Sequence, residues 1–113
     1  MERDPRKFLW DARRAAERVM TYVQGKIFDD LMADEILRFA VERQLQNIGE
    51  AIAQLARFDV VTAERIPRFR EIIAFRNILV HQYDALDYEA AWRVIRDDLP
   101  RLVSEIDAIL GDK

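Results

Sequence analysis

The sequence predicts an all-α protein, an antiparallel bundle of four to five helices formed by a single domain over residues 1–113. Apolar residues recur every three or four positions along most of the chain, the spacing of one helical face. The composition agrees, because 50% of residues are apolar, 35% are charged, and only three are glycine and three proline. A chain of 113 residues has the usual size of one domain.

The first helix is predicted to begin at Pro5, with Asp4 as its N-cap. Proline is common at the first helical position, and aspartate accepts hydrogen bonds from the free N–H groups there. Gly25 can end the helix. The predicted core stripe of this helix is Phe8, Ala12, Ala15, Val19 and Val23.

The second helix is predicted to run from near Asp30 to about Arg57. Gly49 lies in its middle, where glycine costs roughly 1 kcal/mol relative to alanine. We therefore expect a close approach there by the third helix, with Glu50 facing Arg76; a tolerated glycine and a solvated glutamate remain the alternative. The predicted core stripe is Met32, Ile36, Phe39, Leu45, Ile48, Ile52 and Leu55.

Residues 58–66 are predicted to connect to a third helix opened by Pro67, and a fourth helix is predicted to start at Tyr88 with Asp87 as its cap. Pro100 should kink or split the fourth helix. The third helix places Ile72, Ile73, Phe75, Leu79 and Val80 on its apolar side; the fourth places Ala91, Ile95, Leu99, Leu102, Ile106 and Leu110 there.

Composition excludes several classes of function. The absence of cysteine rules out disulfides and thiolate chemistry. No apolar run reaches the ~18 residues of a membrane span, and the polar N-terminus does not look like a signal peptide, so a cytoplasmic location is expected. The net charge of −3 disfavours indiscriminate nucleic-acid binding, although 15 of the 18 basic residues are arginines. Solvated helix faces explain that bias equally well.

The segment Arg76–Tyr83 carries the strongest functional signal, because His81 is the only histidine. Arginine grips phosphate with two N–H groups, and imidazole transfers protons near neutral pH. On a regular helix Asn77 and His81 share a face, whereas Arg76 and His81 differ by about 140°. They can meet if the helix unwinds, or if two copies form one cleft across a two-fold axis.

A second copy would also complete the chemistry. Metal-free RNA cleavage needs a base for the ribose 2′-OH, an acid for the leaving 5′-oxygen, and positive charge on the phosphorane oxygens. One histidine supplies only half of an acid–base pair, and a dimer supplies both halves. The alternatives are a histidine that merely suits a helix C-terminus, or a metal site of His81, Asp84 and Asp87. We disfavour the metal site, since carboxylates there also serve as helix caps, and expect no metal or cofactor.

The pattern of Arg76, Asn77, His81 and Tyr83 resembles the Arg-x4–6-His signature of HEPN domains, and more narrowly the HepT-like ribonuclease toxins. Three further fragments resemble the same family in the same order, and the likeness covers nearly the whole chain. They are Gln46-Asn47-Ile48-Gly49-Glu50-Ala51, Ile66-Pro67 and Asp97-Asp98-Leu99-Pro100. One departure is that Arg68 and Phe69 follow Pro67, where members often have tryptophan.

The resemblance implies a HEPN-like helical homodimer that acts as a metal-independent endoribonuclease toxin at the dimer interface. It implies catalytic roles for Arg76 and His81, with Asn77 in support, and we place Glu50 beside Arg76. It further implies a cognate nucleotidyltransferase antitoxin that transfers AMP to Tyr83, with room for a larger hetero-oligomer of the two. The alternative is a non-catalytic helical binding module that partners a nucleotidyltransferase.

Overall fold

A computed structural model describes residues 4–81 and 86–111 of the protein, and these residues contain helices and no β-strand. The predicted all-α fold class is therefore confirmed. A π-helical segment, Val94–Asp98, joins the last two α-helices. The α-helices are α1 (Pro5–Tyr22), α2 (Phe28–Ala33), α3 (Glu35–Phe58), α4 (Val60–Ala63), α5 (Phe69–His81), α6 (Tyr88–Arg93) and α7 (Leu99–Gly111).

Helix α1 forms as its sequence predicts. The Asp4 carboxylate accepts a hydrogen bond from the Arg6 N–H at 3.0 Å, and Pro5 occupies the first turn. Gly25 follows the helix with a φ of 74°, a left-handed conformation that suits glycine. All five residues of the predicted stripe of α1 are buried.

Helix α3 is the centre of the bundle, since it packs against both α1 and α5, while α7 packs against α1. Neighbouring helices run antiparallel. Phe8 near the start of α1 stacks on Phe58 at the end of α3, with ring centroids 5.9 Å apart. Arg13 of α1 donates to Asp107 of α7 at 2.6 Å. These contacts hold α1, α3 and α7 around one apolar core, with α5 on the other side of α3.

The prediction of one helix from Asp30 to Arg57 is wrong. Asp34 is extended (φ −118°, ψ 100°) and ends α2, and its carboxylate accepts from the Leu37 N–H at 3.0 Å to cap α3. Aspartate at this position competes for backbone N–H groups and favours a helix start over a helix interior.

The N-terminal part of the predicted stripe on this helix is also wrong. Met32, Ile36 and Phe39 are 40%, 81% and 59% exposed. The buried stripe of α3 follows a different row, at three- and four-residue spacing. It consists of Leu37, Val41, Leu45, Ile48, Ile52 and Leu55.

The connection between α3 and α5 is more ordered than predicted. It contains the short helix α4, capped by Asp59, and α5 begins at Phe69 rather than at Pro67. Phe69 and Leu79 are buried and Ile72, Ile73 and Phe75 are half-buried. Val80 is 39% exposed, so its assignment to the apolar side is wrong.

The predicted fourth helix begins at Tyr88 behind its predicted cap and consists of α6, the π-helical segment and α7. Its predicted apolar stripe is buried except for Leu110, which is half-buried, while Ile109 is buried instead. The Asp87 carboxylate accepts from the N–H groups of Glu89 and Ala90, at 3.0 and 3.1 Å. The π-helical segment immediately precedes Pro100, and the Leu99 N–H bonds to the Val94 carbonyl. This wider turn accommodates a proline ring that would otherwise clash with the carbonyl four residues back. Across the described ranges, no helix combines the length and apolar character needed to cross a membrane.

Candidate functional site

The site begins where α5 crosses α3 at Gly49. A Cβ added to Gly49 would lie 2.6 Å from the Arg76 Cγ and closer still to the Arg76 Cβ. Only a residue without a side chain permits this approach, so the predicted close contact at Gly49 is confirmed. The contact fixes the position of Arg76 along the axis of α3.

Arg76 is anchored to α3 by charge as well. Its Nη1 lies 3.4 Å from the Glu50 Oε2, and the Arg76 side chain is 23% exposed. Glu50 also accepts a hydrogen bond from the Gln54 side-chain amide at 3.2 Å. The Arg76 Nε is shielded from solvent and has no hydrogen-bond partner among the described residues. The predicted contact of Glu50 with Arg76 is therefore present, and the buried Nε–H of the guanidinium has no partner among the described residues.

Asn77 and His81 lie on the opposite side of α5 and are both exposed. Because α5 remains helical through His81, the two side chains are one turn apart on the same face. No hydrogen bond or ion pair joins either of them to Arg76 within the described part of the chain. Helix α5 does not unwind before His81, so unwinding of the helix does not bring Arg76 and His81 together. Tyr83 and Asp84 lie outside the described residues.

Exposed apolar residues of α3 lie beside the C-terminal part of α5, although the sequence predicts Ile36 and Phe39 to be in the core. We call Ile36 and Phe39, with the neighbouring exposed Arg43, the α3 outer face. Phe39, Arg43 and Leu79 line one shallow cavity of about 240 Å³. The sequence offered a signal for this face. Leu37, Val41 and Leu45 form a complete buried row, and Ile36 falls about 100° away from Leu37.

Metal-ligand geometry is not found in residues 4–81 and 86–111, where no three histidine, aspartate or glutamate side chains converge. Asp87, one of the three candidate ligands, caps α6. Asp84, another candidate ligand, lies outside those ranges, so the metal site of His81, Asp84 and Asp87 stays an untested alternative.

Comparison with known families identifies the class of protein. A family described as "Ribonuclease HepT-like" matches residues 12–109, which run from α1 nearly to the end of α7. The chain belongs to this family, as its resemblance in the Arg76–Tyr83 segment predicts.

Individual relatives carry ribonuclease names. A "putative RNase" of Methanocaldococcus jannaschii is 28% identical over 96% of this chain and 98% of its own. A "probable ribonuclease HepT" of Thermococcus cleftensis is 28% identical over 96% of this chain and 98% of its own. A third, named "gamma-glutamylcyclotransferase and putative RNase", from Methanocaldococcus jannaschii, is 31% identical over 99% of this chain but only 50% of its own. No solved structure matches the chain.

Proposed function

We propose that the protein is an endoribonuclease toxin that cleaves RNA without a metal ion, at a cleft shared by two copies of the chain. The family and the names of its relatives support ribonuclease activity. The chain's only histidine is solvent-exposed at the end of α5, where an RNA strand can reach it.

The observation that carries the two-copy site is the division of α5 into two faces. Arg76 points towards α3 and is held there by Gly49 and Glu50, whereas Asn77 and His81 point away from it. Within one copy the two groups therefore face different sides of α5. A second copy related by a two-fold axis can supply the missing group. The α3 outer face, with Ile36 81% exposed beside this end of α5, offers apolar area for that contact.

Each residue has a defined role in this proposal. One His81 takes the proton from the ribose 2′-OH, and the His81 of the other copy protonates the leaving 5′-oxygen. Arg76 stabilises the negative charge that develops on the phosphorane oxygens, and its free Nε can donate to one of them once the guanidinium turns towards the substrate. Asn77 holds the scissile phosphate, and Glu50 orients Arg76.

The first test replaces the only imidazole. We expect His81→Ala to abolish RNA cleavage and growth inhibition while the dimer remains intact by sedimentation. Ser104→Ala, at an exposed position of α7, is the control. Mixing His81→Ala chains with wild-type chains, under conditions in which subunits exchange, then shows how many histidines one cleavage site needs. The measured quantity is the RNA cleavage rate at each fraction of wild-type chains. A shared site predicts that activity falls with the square of the wild-type fraction.

Three results would contradict the proposal. A linear fall in the mixing experiment would give each chain its own complete site. Loss of cleavage in EDTA would require a metal ion. A purified wild type, unmodified at Tyr83, that leaves all tested RNAs uncut would favour the non-catalytic binding module.

We further propose that a cognate nucleotidyltransferase antitoxin silences the protein by transferring AMP to Tyr83. Tyr83 follows His81 by two residues in the sequence. An added AMP brings bulk and a negative phosphate to a cleft that must bind RNA phosphates, so RNA is repelled. The partner itself is expected from the resemblance of the Arg76–Tyr83 segment to the HepT-like toxins.

The test of this regulation uses the two tyrosines near α5 and α6. Incubated with the antitoxin and ATP, the wild type should gain the mass of one AMP group and lose cleavage activity, while Tyr83→Phe should do neither. Tyr88→Phe is the matched control, since Tyr88 is half-buried and its hydroxyl donates to Glu42 at 3.3 Å. Modification that persists in Tyr83→Phe and disappears in Tyr88→Phe would reassign the acceptor.

A further inference from the structure

Two arginines on α1 have no neutralising partner in the described part of the chain and line one groove together. Arg14 and Arg18 are four residues apart and exposed, and neither makes an ion pair, side-chain hydrogen bond or cation–π contact with a described residue. Like charges at this spacing destabilise a helix by about 0.2–0.5 kcal/mol. Their Cα atoms lie on one row of the helix, separated by about 6 Å along its axis.

The two arginines line a polar groove between α1 and α3. The groove has a volume of about 320 Å³, and its α3 wall carries Gln44, Asn47 and Gln54. The Asn47 amide donates to the Gln44 side-chain oxygen at 3.3 Å, and no other hydrogen bond to a described residue uses the Gln44 amide N–H groups or the Asn47 oxygen. Amide groups of this kind can hydrogen-bond the edges of unpaired bases.

The charge balance of the groove favours a polyanion. Its two carboxylates are already paired: Asp11 with Lys7 at 2.9 Å and Glu50 with Arg76 at 3.4 Å. The two arginines in the groove therefore remain as uncompensated positive charge.

The groove also reaches the candidate site. Glu50 lines the groove on one side and holds Arg76 on the other. A strand lying over α3 can therefore contact α1 and Arg76 at the same time.

We infer that the groove between α1 and α3 binds the RNA strand next to the scissile phosphate. Arg14 and Arg18 hold neighbouring backbone phosphates, and Gln44 and Asn47 contact an unstacked base. This inference rests on the proposed ribonuclease activity and assigns the substrate path that leads to Arg76.

The experiment measures binding apart from cleavage. In the His81→Ala background, a fluorescein-labelled single-stranded RNA of mixed sequence is titrated and followed by anisotropy at several salt concentrations. Adding Arg14→Ala and Arg18→Ala together should weaken binding on the order of ten-fold and lower the salt slope by about 1.4, the value for two phosphates on a single strand. The Arg14→Lys/Arg18→Lys pair keeps the charge and should retain most of the slope.

The matched control is Arg93→Ala with Arg101→Ala, which removes two exposed charges elsewhere on the surface. Equal weakening by the control pair, or binding within two-fold of the parent after loss of Arg14 and Arg18, would overturn the inference. If the groove instead binds an acidic protein surface, the Arg14→Ala/Arg18→Ala variant will bind RNA as tightly as its parent, and the inference fails.

Cleavage by chains that retain His81 separates the two proposals. If the wild type cleaves RNA, loss of Arg14 and Arg18 should raise KM and leave kcat nearly unchanged; an unchanged KM removes the groove from the substrate path and leaves the ribonuclease standing. If the wild type binds RNA through these arginines but cuts none, the groove stands and the catalytic proposal fails.

Discussion

Helices α1 and α5 pack on opposite sides of α3 and differ in how they are held. Six residues of α1 are buried, three of them alanines that let the helix axes approach closely, whereas α5 buries only Phe69 and Leu79. Helix α5 relies instead on three half-buried apolar residues and on the contact of Arg76 with Gly49. The comparison teaches that the helix with the candidate site residues is held by fewer buried side chains than α1, so its position depends more on single contacts.

The largest effect should come from a matched pair of core truncations. Leu55 on α3 is 0% exposed and Leu79 on α5 is 7% exposed. We expect Leu55→Ala to lower the free energy of unfolding by about 2–5 kcal/mol, and Leu79→Ala to fall at or below the lower end of that range. Urea unfolding followed by circular dichroism measures both. Equal losses would mean that α5 is as firmly packed as the α1–α3 pair.

The next largest effect should come from filling the crossing of α3 and α5. Gly49→Ala forces a methyl group against the Arg76 side chain, and such overpacking costs about 1–3 kcal/mol, partly offset by about 0.5–1 kcal/mol of helix propensity. We expect a modest drop in thermal stability and a larger drop in RNA cleavage, because Arg76 is displaced.

Gly111→Ala is the control for that change. Nothing lies within 4 Å of a Cβ added to Gly111, so the same methyl group meets open space there. If Gly49→Ala leaves cleavage at the level of the control, the position of Arg76 does not depend on this contact.

The smallest effect should come from the cap of α4, which lies in the connection from α3 to α5. The Thr62 hydroxyl donates to the Asp59 Oδ2 at 2.6 Å and the Thr62 N–H donates to Oδ1 at 3.1 Å; these bonds lower the pKa of Asp59. We expect Asp59→Ala to cost about 1 kcal/mol at neutral pH.

The pH dependence of that loss has a definite sign. Because the pKa of Asp59 in the folded protein lies below the ordinary aspartate value of 3.8, the charged carboxylate stabilises the fold above that value, and the contribution disappears as pH falls through the folded pKa. Thermal unfolding at neutral and acidic pH should therefore bring Asp59→Ala and wild type together in acid. Asp59→Asn keeps a capping oxygen and should lose less stability at neutral pH than Asp59→Ala. A stability difference between wild type and Asp59→Ala that widens in acid would contradict the assignment.

The sequence by itself determined the features that act within one turn of helix. The caps at Asp4 and Asp87, the stop at Gly25 and the disturbance before Pro100 follow from backbone dihedral angles and from hydrogen bonds between near neighbours. The spacing of Asn77 and His81 on one face follows from the helical period. The close approach at Gly49 was also predictable, since glycine inside a helix is costly unless another backbone or side chain lies against it.

Only the tertiary structure decided which apolar residues are buried and which charges are paired. Ile36 and Phe39 look like core residues in the sequence, but Asp34 breaks the helix and α1 and α5 cover a different row of α3. The contact between Glu50 and Arg76, and the unpaired Arg14 and Arg18 across from Asn47, join residues that are distant in sequence. Such pairings depend on the packing of whole helices, which spacing along a single helix does not specify.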